Sequence, residues 1–384
     1  MSAPEPKPLR IALFTGNYNY IRDGVALTLN RLVRYLKKNN IPVLIFAPTA
    51  AEPAFPSAGE VVSVPSIAIP FRSEYRIALG LPKAARARLA EFNPTLIHIA
   101  VPDILGYQAL KYAEANKLPV VATFHTRYDT YLKFYGFGFL EKFALGYFRK
   151  FYARCKKVYP PSQSMVDALL ADGIVAPMEV FGRGVDHELF SPSKRSMDWR
   201  RSYGIADDEI VVSFVSRLVK EKNTDVMVRC FVRLRESGVK FKPLIVGLGP
   251  EEKHLRAAIR GAVFAGFMQG EELAMAYASS DIFFFPSESE TFGNVTLEAM
   301  ASGLPALVAD ATGSRSIVED GINGFVQKTS DEFGFDKHLK NLIENSELRR
   351  TMAAAARRRA MAFNWDVILS RLVASFRAIS DSRP

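Results

Sequence analysis

"DIFFFPSESETFGNVTLEAMASGLP", residues 281–305, runs from an apolar stretch through a polar loop into a segment stopped by Gly-Leu-Pro. Ile282–Phe285 is four large apolar residues between Asp281 and Pro286, the composition of a strand buried on both faces. "SESETFGN" is a polar turn, and "VTLEAMAS" has helical spacing and ends at Gly303 and Pro305. Strand, turn and helix in that order form the unit of an α/β fold, whose ligands sit beyond the carboxyl ends of the strands. Glu288 and Glu290 fall at such an end, and Glu298 about one turn into the helix. Carboxylates buried there are costly unless a ligand or partner compensates them.

The alternation recurs on both sides of this stretch. Upstream, "RIALFT" (10–15), "PVLIFA" (42–47), "LIHIAV" (96–101) and "PVVATF" (119–124) are short apolar runs. Helix-period segments such as 25–39 and 107–116 separate them, which predicts a parallel sheet with helices on both faces. The pattern restarts with "IVVSFVSRL" (210–218), "KPLIVGLG" (242–249), "AVFAGF" (262–267), "PALVA" (305–309) and "GFVQ" (324–327). Two α/β domains are predicted, 1–190 and 191–363, with the break near "HELFSPSKRS" (187–196) and an Ala- and Arg-rich helical tail over 342–378.

A chain of 384 residues accommodates two such domains, and 48% hydrophobic with 23% charged residues argues against disorder. Only Cys155 and Cys230 are present, so neither a disulfide framework nor a zinc site is indicated, and a reducing cytoplasm fits. "MSAPEPKPLR" has no apolar core of a signal peptide, and no apolar run reaches the roughly 18 residues of a membrane span. The net charge of +10 is uneven: residues 1–190 hold 23 Lys and Arg against 15 Asp and Glu, and the remainder 27 against 25. An anionic partner of the first half is expected: membrane lipid, acidic substrate or nucleic acid.

"SRLVKEKN" (216–223) puts Arg217 and Lys222 after a strand, a fork and a point charge suited to a diphosphate. "GLGPEEKHL" (247–255) has Glu252 where a dinucleotide fingerprint needs its third glycine, and no P-loop motif occurs. The helix N-terminus near Phe292, Gly293, Asn294 and Val295 offers backbone N–H groups and a positive dipole end to a phosphate. Glu290 and Glu298 suit the vicinal hydroxyls of a ribose or hexose, because each carboxylate accepts two hydrogen bonds. Together these residues read as a cradle for a sugar nucleotide.

The Glu-x7-Glu of "ETFGNVTLE" (290–298), followed by "AMASGLP" (299–305) and "DGINGF" (320–325), resembles the retaining glycosyltransferases of family 4. The glycine loop around Gly24, "FHTRYDTYLKFY" (124–135), "GVDHELFSP" (184–192), "VSRLVKEKN" (215–223) and "VGLGPEEKHL" (246–255) occur in that family's order. The resemblance implies the GT-B fold, two Rossmann-like domains whose parallel sheets face each other across a cleft. It also implies an acceptor-side first domain, a nucleotide-sugar-binding second domain, and a C-terminal helix, about 364–384, returning to the first. Glu298 would then bind the nucleotide ribose, Glu290 the donor sugar, and Arg217 and Lys222 the diphosphate, with Gly24 and Gly249 admitting the donor. His125 would lie by the transferred sugar, with Tyr128, Asp129 and Tyr131 on the acceptor side and Gly184 and Asp186 in the donor region. In such enzymes the leaving diphosphate helps deprotonate the acceptor, so catalysis rests on positioning and charge stabilisation. No Asp-x-Asp occurs, so the implied reaction needs neither metal nor cofactor. The chain departs from the family pattern at Asp23, where a second glycine is common, and at Ser316, where an acid is common.

Residues 131–157 hold ten Phe or Tyr interleaved with Lys and Arg, which reads either as core or as an interfacial membrane segment. The stretch from 124 resembles GDP-mannose-dependent mannosyltransferases and sulfoquinovosyl-diacylglycerol synthases. That likeness implies a lipid or lipid-linked acceptor and a peripheral position on the inner face of the cell membrane. Two alternatives stay open, a sugar-nucleotide epimerase of the same fold and a non-catalytic binder of anionic polymers. A nucleic-acid partner is not expected, because no recognition motif is present and it would leave Glu290 and Glu298 unexplained.

Overall fold

The computed structural model describes residues 8–69, 72–125 and 141–382. They form two compact units, Met1–Gly182 with Asp366–Pro384, and Arg183–Trp365. Tyr128, Asp129, Tyr131 and the first part of the aromatic run lie outside the described residues.

In the first unit, β1 (Ile11–Phe14), β2 (Val43–Ala47), β3 (Glu60–Ser63), β6 (Leu96–Ile99), β7 (Val120–Thr123) and β8 (Lys157–Tyr159) form one sheet. Its order is β3-β2-β1-β6-β7-β8, and every pairing is parallel. All residues of β1, β6 and β7 are buried, the mark of strands covered on both faces. A two-stranded hairpin, β4 (Ser66–Ile69) with β5 (Arg72–Ala78), stands apart. The first helix, Gly24–Lys38, begins where the Asp23 carboxylate accepts from Ala26 N at 2.8 Å.

The second unit repeats the plan. β9 (Val211–Val215), β10 (Lys242–Val246), β11 (Val263–Gly266), β12 (Ile282–Phe285), β13 (Ala306–Ala309) and β14 (Gly324–Gln327) are ordered β11-β10-β9-β12-β13-β14. All five pairings are parallel. The three phenylalanines of β12 are fully buried and meet other rings on both faces, including Phe231 and Phe335 against Phe284, and Phe214 against Phe285. Such ring contacts fix the strand within the core and set the loop that follows it.

The second unit starts at Arg183, ahead of the expected break at 190, because residues 185–190 are tied to its late helices. Val185 N donates to Phe363 O, and Arg357 donates to the carbonyls of Phe190 and His187. The closing helix Trp365–Asp381 lies in the first unit from Asp366 onward. There Ser375 Oγ accepts from the Tyr159 hydroxyl and donates to Glu179, each at 2.8 Å, while Phe376 meets Tyr159 edge-on.

Candidate functional site

Each sheet reverses its strand order once. In the second unit the reversal lies at β9, which pairs β10 on one side and β12 on the other. The crevice at such a reversal, beyond the carboxyl ends, is where open α/β sheets bind ligands. The loops leaving β9 and β12 carry Arg217, Lys222, Glu288 and Glu290.

Bare backbone builds this place. Gly247 has φ of 134°, and a Cβ there would stand 1.8 Å from Ser216 O. A Cβ on Gly249 would stand 2.2 Å from Leu218 O. Only glycine admits that approach, which lets Leu218 N donate to Leu248 O and Glu251 N to Leu218 O. The loop carrying Arg217 is thereby fastened to the turn after β10. Arg217 itself is exposed, and among the described residues its guanidinium makes no hydrogen bond or ion pair.

Lys222 ends a short 3-10 turn, Lys220–Lys222, closed by Asn223 at φ 52°. Asn223 Nδ2 donates to Pro286 O at 2.9 Å and Ser289 Oγ to Glu221 O at 3.1 Å, so the two loops are stitched together. Lys222 Nζ donates to Glu290 Oε1 and to Ser289 Oγ at 3.2 Å, and it stands 5.8 Å from the centre of the Phe285 ring. The Glu290 carbonyl accepts from Gly313 N and from Thr312 Oγ1, both at 3.0 Å. Glu288 turns away to Thr329 and Asn223.

The helix Asn294–Ala301 follows, with Gly293 as its cap at φ 95° and no side chain capping it. Its first-turn amides are left to a ligand or to water. Thr296 Oγ1, buried in that turn, has no hydrogen-bond partner among the described residues. Phe292 contributes backbone only, since its ring is buried edge-on to Phe363. Glu298, one turn in, is half-buried and accepts from the Tyr277 hydroxyl at 3.3 Å. Burial holds that phenol well above its ordinary range, and the charges of Glu298 and then Glu290 add to the effect.

The first unit reverses at β1, between β2 and β6. Gly24 is exposed as the first residue of its helix, near the end of the loop that leaves β1. Asp103, after β6, accepts from Gly106 N at 2.8 Å, and burial pushes its carboxyl up to about 6. His125, two residues past β7, is buried, with Nε2 at 2.9 Å from Thr123 Oγ1. Gly184 and Asp186 serve packing in the second unit. A Cβ on Gly184 would meet the Trp365 ring at 2.6 Å, and Asp186 caps the turn at Leu189 N.

Sequence reasoning missed Asn223, Ser289, Tyr277, Thr123 and Asp103. Asn223 and Ser289 sit inside the quoted motifs, but only the fold shows that they join two loops far apart in sequence. No group of three His, Cys, Asp or Glu able to hold a metal ion occurs among the described residues.

Two family models cover most of the chain: "Glycosyltransferase Family 4" over residues 22–189 and "Glycosyl transferases group 1" over residues 196–359. A GDP-mannose-dependent alpha-mannosyltransferase of Corynebacterium glutamicum is 31% identical over 96% of this chain and 88% of its own length. A sulfoquinovosyl transferase of Arabidopsis thaliana is 30% identical over 95% of this chain and 73% of its own. Among solved structures, a sucrose-phosphate synthase from Thermosynechococcus elongatus superposes with a TM-score of 0.80 at 19% identity, covering 97% of this chain and 99% of that one. The two parallel-sheet domains are thus shared architecture, and the chain belongs to the family 4 glycosyltransferases of the GT-B fold.

Proposed function

We propose that this glycosyltransferase moves a hexose from a nucleoside-diphosphate sugar, GDP-mannose or a UDP-sugar, to a hydroxyl of a membrane lipid or lipid-linked glycan. The anomeric configuration is retained, giving an alpha linkage. The observation that carries this reading is the grouping of Arg217, Lys222, Glu290 and the uncapped helix Asn294–Ala301 at the one strand reversal of the second unit. Two cations and a helix amide end meet the diphosphate. Glu298, oriented by Tyr277, takes the ribose hydroxyls, and Glu290 takes the sugar.

Charge grows on the diphosphate as the anomeric bond breaks, and Arg217 and Lys222 stabilise it there. The acceptor hydroxyl attacks from the face the diphosphate leaves and passes its proton to a departing phosphate oxygen. No side-chain base is needed on this route, and the two cations replace a metal. Relatives named as a GDP-mannose-dependent alpha-mannosyltransferase and as an alpha-monoglucosyldiacylglycerol synthase support the donor class and a glycolipid product. A further support is the exposed Phe143 beside Lys142 and Lys150, a pattern suited to an anionic membrane surface.

Donor profiling tests the reading. Isothermal calorimetry and hydrolysis assays against GDP- and UDP-sugars, with and without EDTA, are expected to give one strongly preferred donor and EDTA-independent turnover. Donor conversion with no acceptor and no released diphosphate would instead mark an epimerase, and no donor binding at all would sink the proposal.

A further inference from the structure

His98, Thr123 and His125 form a continuous hydrogen-bonded chain inside the first unit. His98 Nε2 lies 2.9 Å from Thr123 Oγ1, and the same oxygen lies 2.9 Å from His125 Nε2. The strand register explains the contact. His98 pairs with Val121, and Thr123 is two residues farther along β7, so both side chains stand on one face of the sheet. All three residues are buried, His98 completely. Phe376 of the closing helix covers His98 edge-on, with ring centres 5.4 Å apart.

A threonine hydroxyl has one proton to donate. Accepting from both imidazole nitrogens would leave that proton without an acceptor among the described residues, so the hydroxyl donates to one and accepts from the other, which leaves two arrangements. If the hydroxyl donates to His98, the His98 proton sits on Nδ1. That atom is buried and has no hydrogen-bond partner among the described residues, so a desolvated N–H would be orphaned. If the hydroxyl donates to His125, His98 carries its proton on Nε2 and gives it to Thr123. Only a bare nitrogen lone pair is then left unmatched beneath Phe376, the cheaper defect. Burial also pushes the His98 imidazole down to about 3, so a doubly protonated His98 does not compete near neutrality.

We infer that Thr123 and His98 are positioning residues that hold His125 as the neutral tautomer protonated on Nδ1. Nε2 of His125 is committed as an acceptor inside the fold, and its other ring nitrogen is a hydrogen-bond donor. His125 therefore acts through Nδ1 as a hydrogen-bond donor and is not a general base. A part in the reaction rests on the glycosyl transfer proposed above and on the placement of His125 by the transferred sugar that the family resemblance implies.

The test is nitrogen NMR of protein labelled with 15N-histidine, in which protonated and unprotonated ring nitrogens have well-separated shifts. The wild-type His125 signal, identified by its loss in His125→Asn, is expected to show a protonated Nδ1 and an unprotonated Nε2. Thr123→Val, close in volume but without the hydroxyl, should mix the two tautomers, and Thr123→Ser should restore the single form. Transfer by Thr123→Val should fall in kcat by about fivefold to tenfold, the size of one positioning hydrogen bond, with the donor KM little changed. A wild-type His125 protonated on Nε2 overturns the inference, as does an unchanged tautomer in Thr123→Val. Full transfer activity in His125→Ala would overturn the assignment of His125 to the reaction, while the nitrogen spectra judge the tautomer independently.

Discussion

Lys222 Nζ lies 2.5 Å from Glu290 Oε1, with both side chains largely buried at 13% and 16% exposure. Each is the other's counter-ion, so a diphosphate bound as proposed would compete with Glu290 for Lys222. Lys222→Ala is expected to lower turnover by roughly 10²–10³, the usual loss when a group that stabilises transition-state charge is removed. It should also destabilise the fold, because removing one member of a buried pair leaves the other uncompensated. Lys222→Met with Glu290→Gln should recover much of the melting temperature and none of the activity. Near-native kcat in Lys222→Ala would mean that the diphosphate is held elsewhere.

Glu298→Ala should weaken donor binding by about 2–4 kcal/mol, the cost of two charge-assisted hydrogen bonds to a ribose. Tyr277→Phe removes only the hydroxyl that orients Glu298, and a loss of about 1 kcal/mol is expected. Calorimetric titration of each variant with the preferred donor checks both. Unchanged affinity in Glu298→Ala would remove it from the ribose role.

Asp103 gives the fold a pH dependence of defined sign. Its carboxyl has an ordinary value of 3.8 and is pushed up to about 6 by burial. Between these values the native state binds more protons than the unfolded chain, so stability falls as pH rises from about 4 to about 6. The deficit then persists at higher pH. Asp103→Asn retains an oxygen for Gly106 N and removes the charge. The variant should melt higher than the parent at about pH 7.5 and show no gain near pH 4. Equal melting curves at the higher pH would mean that the Asp103 charge carries no penalty.

The strands that anchor the two sites were legible because they are continuous apolar runs: β1, β6 and β7 in one unit, β9 and β12 in the other. β3, β8 and the hairpin β4–β5 were not. β3 is a half-exposed edge of four residues, β8 has three, and β4 has only exposed or half-buried residues. None offers a clear apolar period. In the second unit Arg217, Lys222, Glu290 and Glu298 stand out as candidates because motif spacing reports what the strand ends and the following helix carry. The Lys222–Glu290 pair and the Tyr277–Glu298 contact could not, since they depend on β9 and β12 being neighbours. His98 looked like one more residue of an apolar strand. Its link to Thr123 and His125 follows from the register between β6 and β7.

Within the described part of the aromatic run, the helix Glu141–Tyr152 shows which residues are exposed. Phe151 and Tyr152 are core residues, and Tyr147 and Phe148 pack against that core. Phe143 is 77% exposed, with Lys142 and Lys150 exposed on the same helix. Arg149 is engaged within the fold, donating to Asp172 O at 2.7 Å, so changing it would confuse surface charge with a structural contact. The informative variants are therefore Phe143→Ala and the pair Lys142→Glu with Lys150→Glu. Each basic residue near an anionic leaflet contributes about 1 kcal/mol, so reversing two should weaken vesicle binding by at least about thirtyfold. Wild-type protein should co-sediment with vesicles containing phosphatidylserine or phosphatidylglycerol, and less so as salt rises, because surface charges are screened. Phe143→Ala should reduce binding with little change in its salt dependence. All three substitutions should leave donor affinity intact and slow transfer to a membrane-embedded acceptor more than to a soluble short-chain analogue. If wild type stays in the supernatant with anionic vesicles at low salt, Phe143 and its flanking lysines do not dock on lipid.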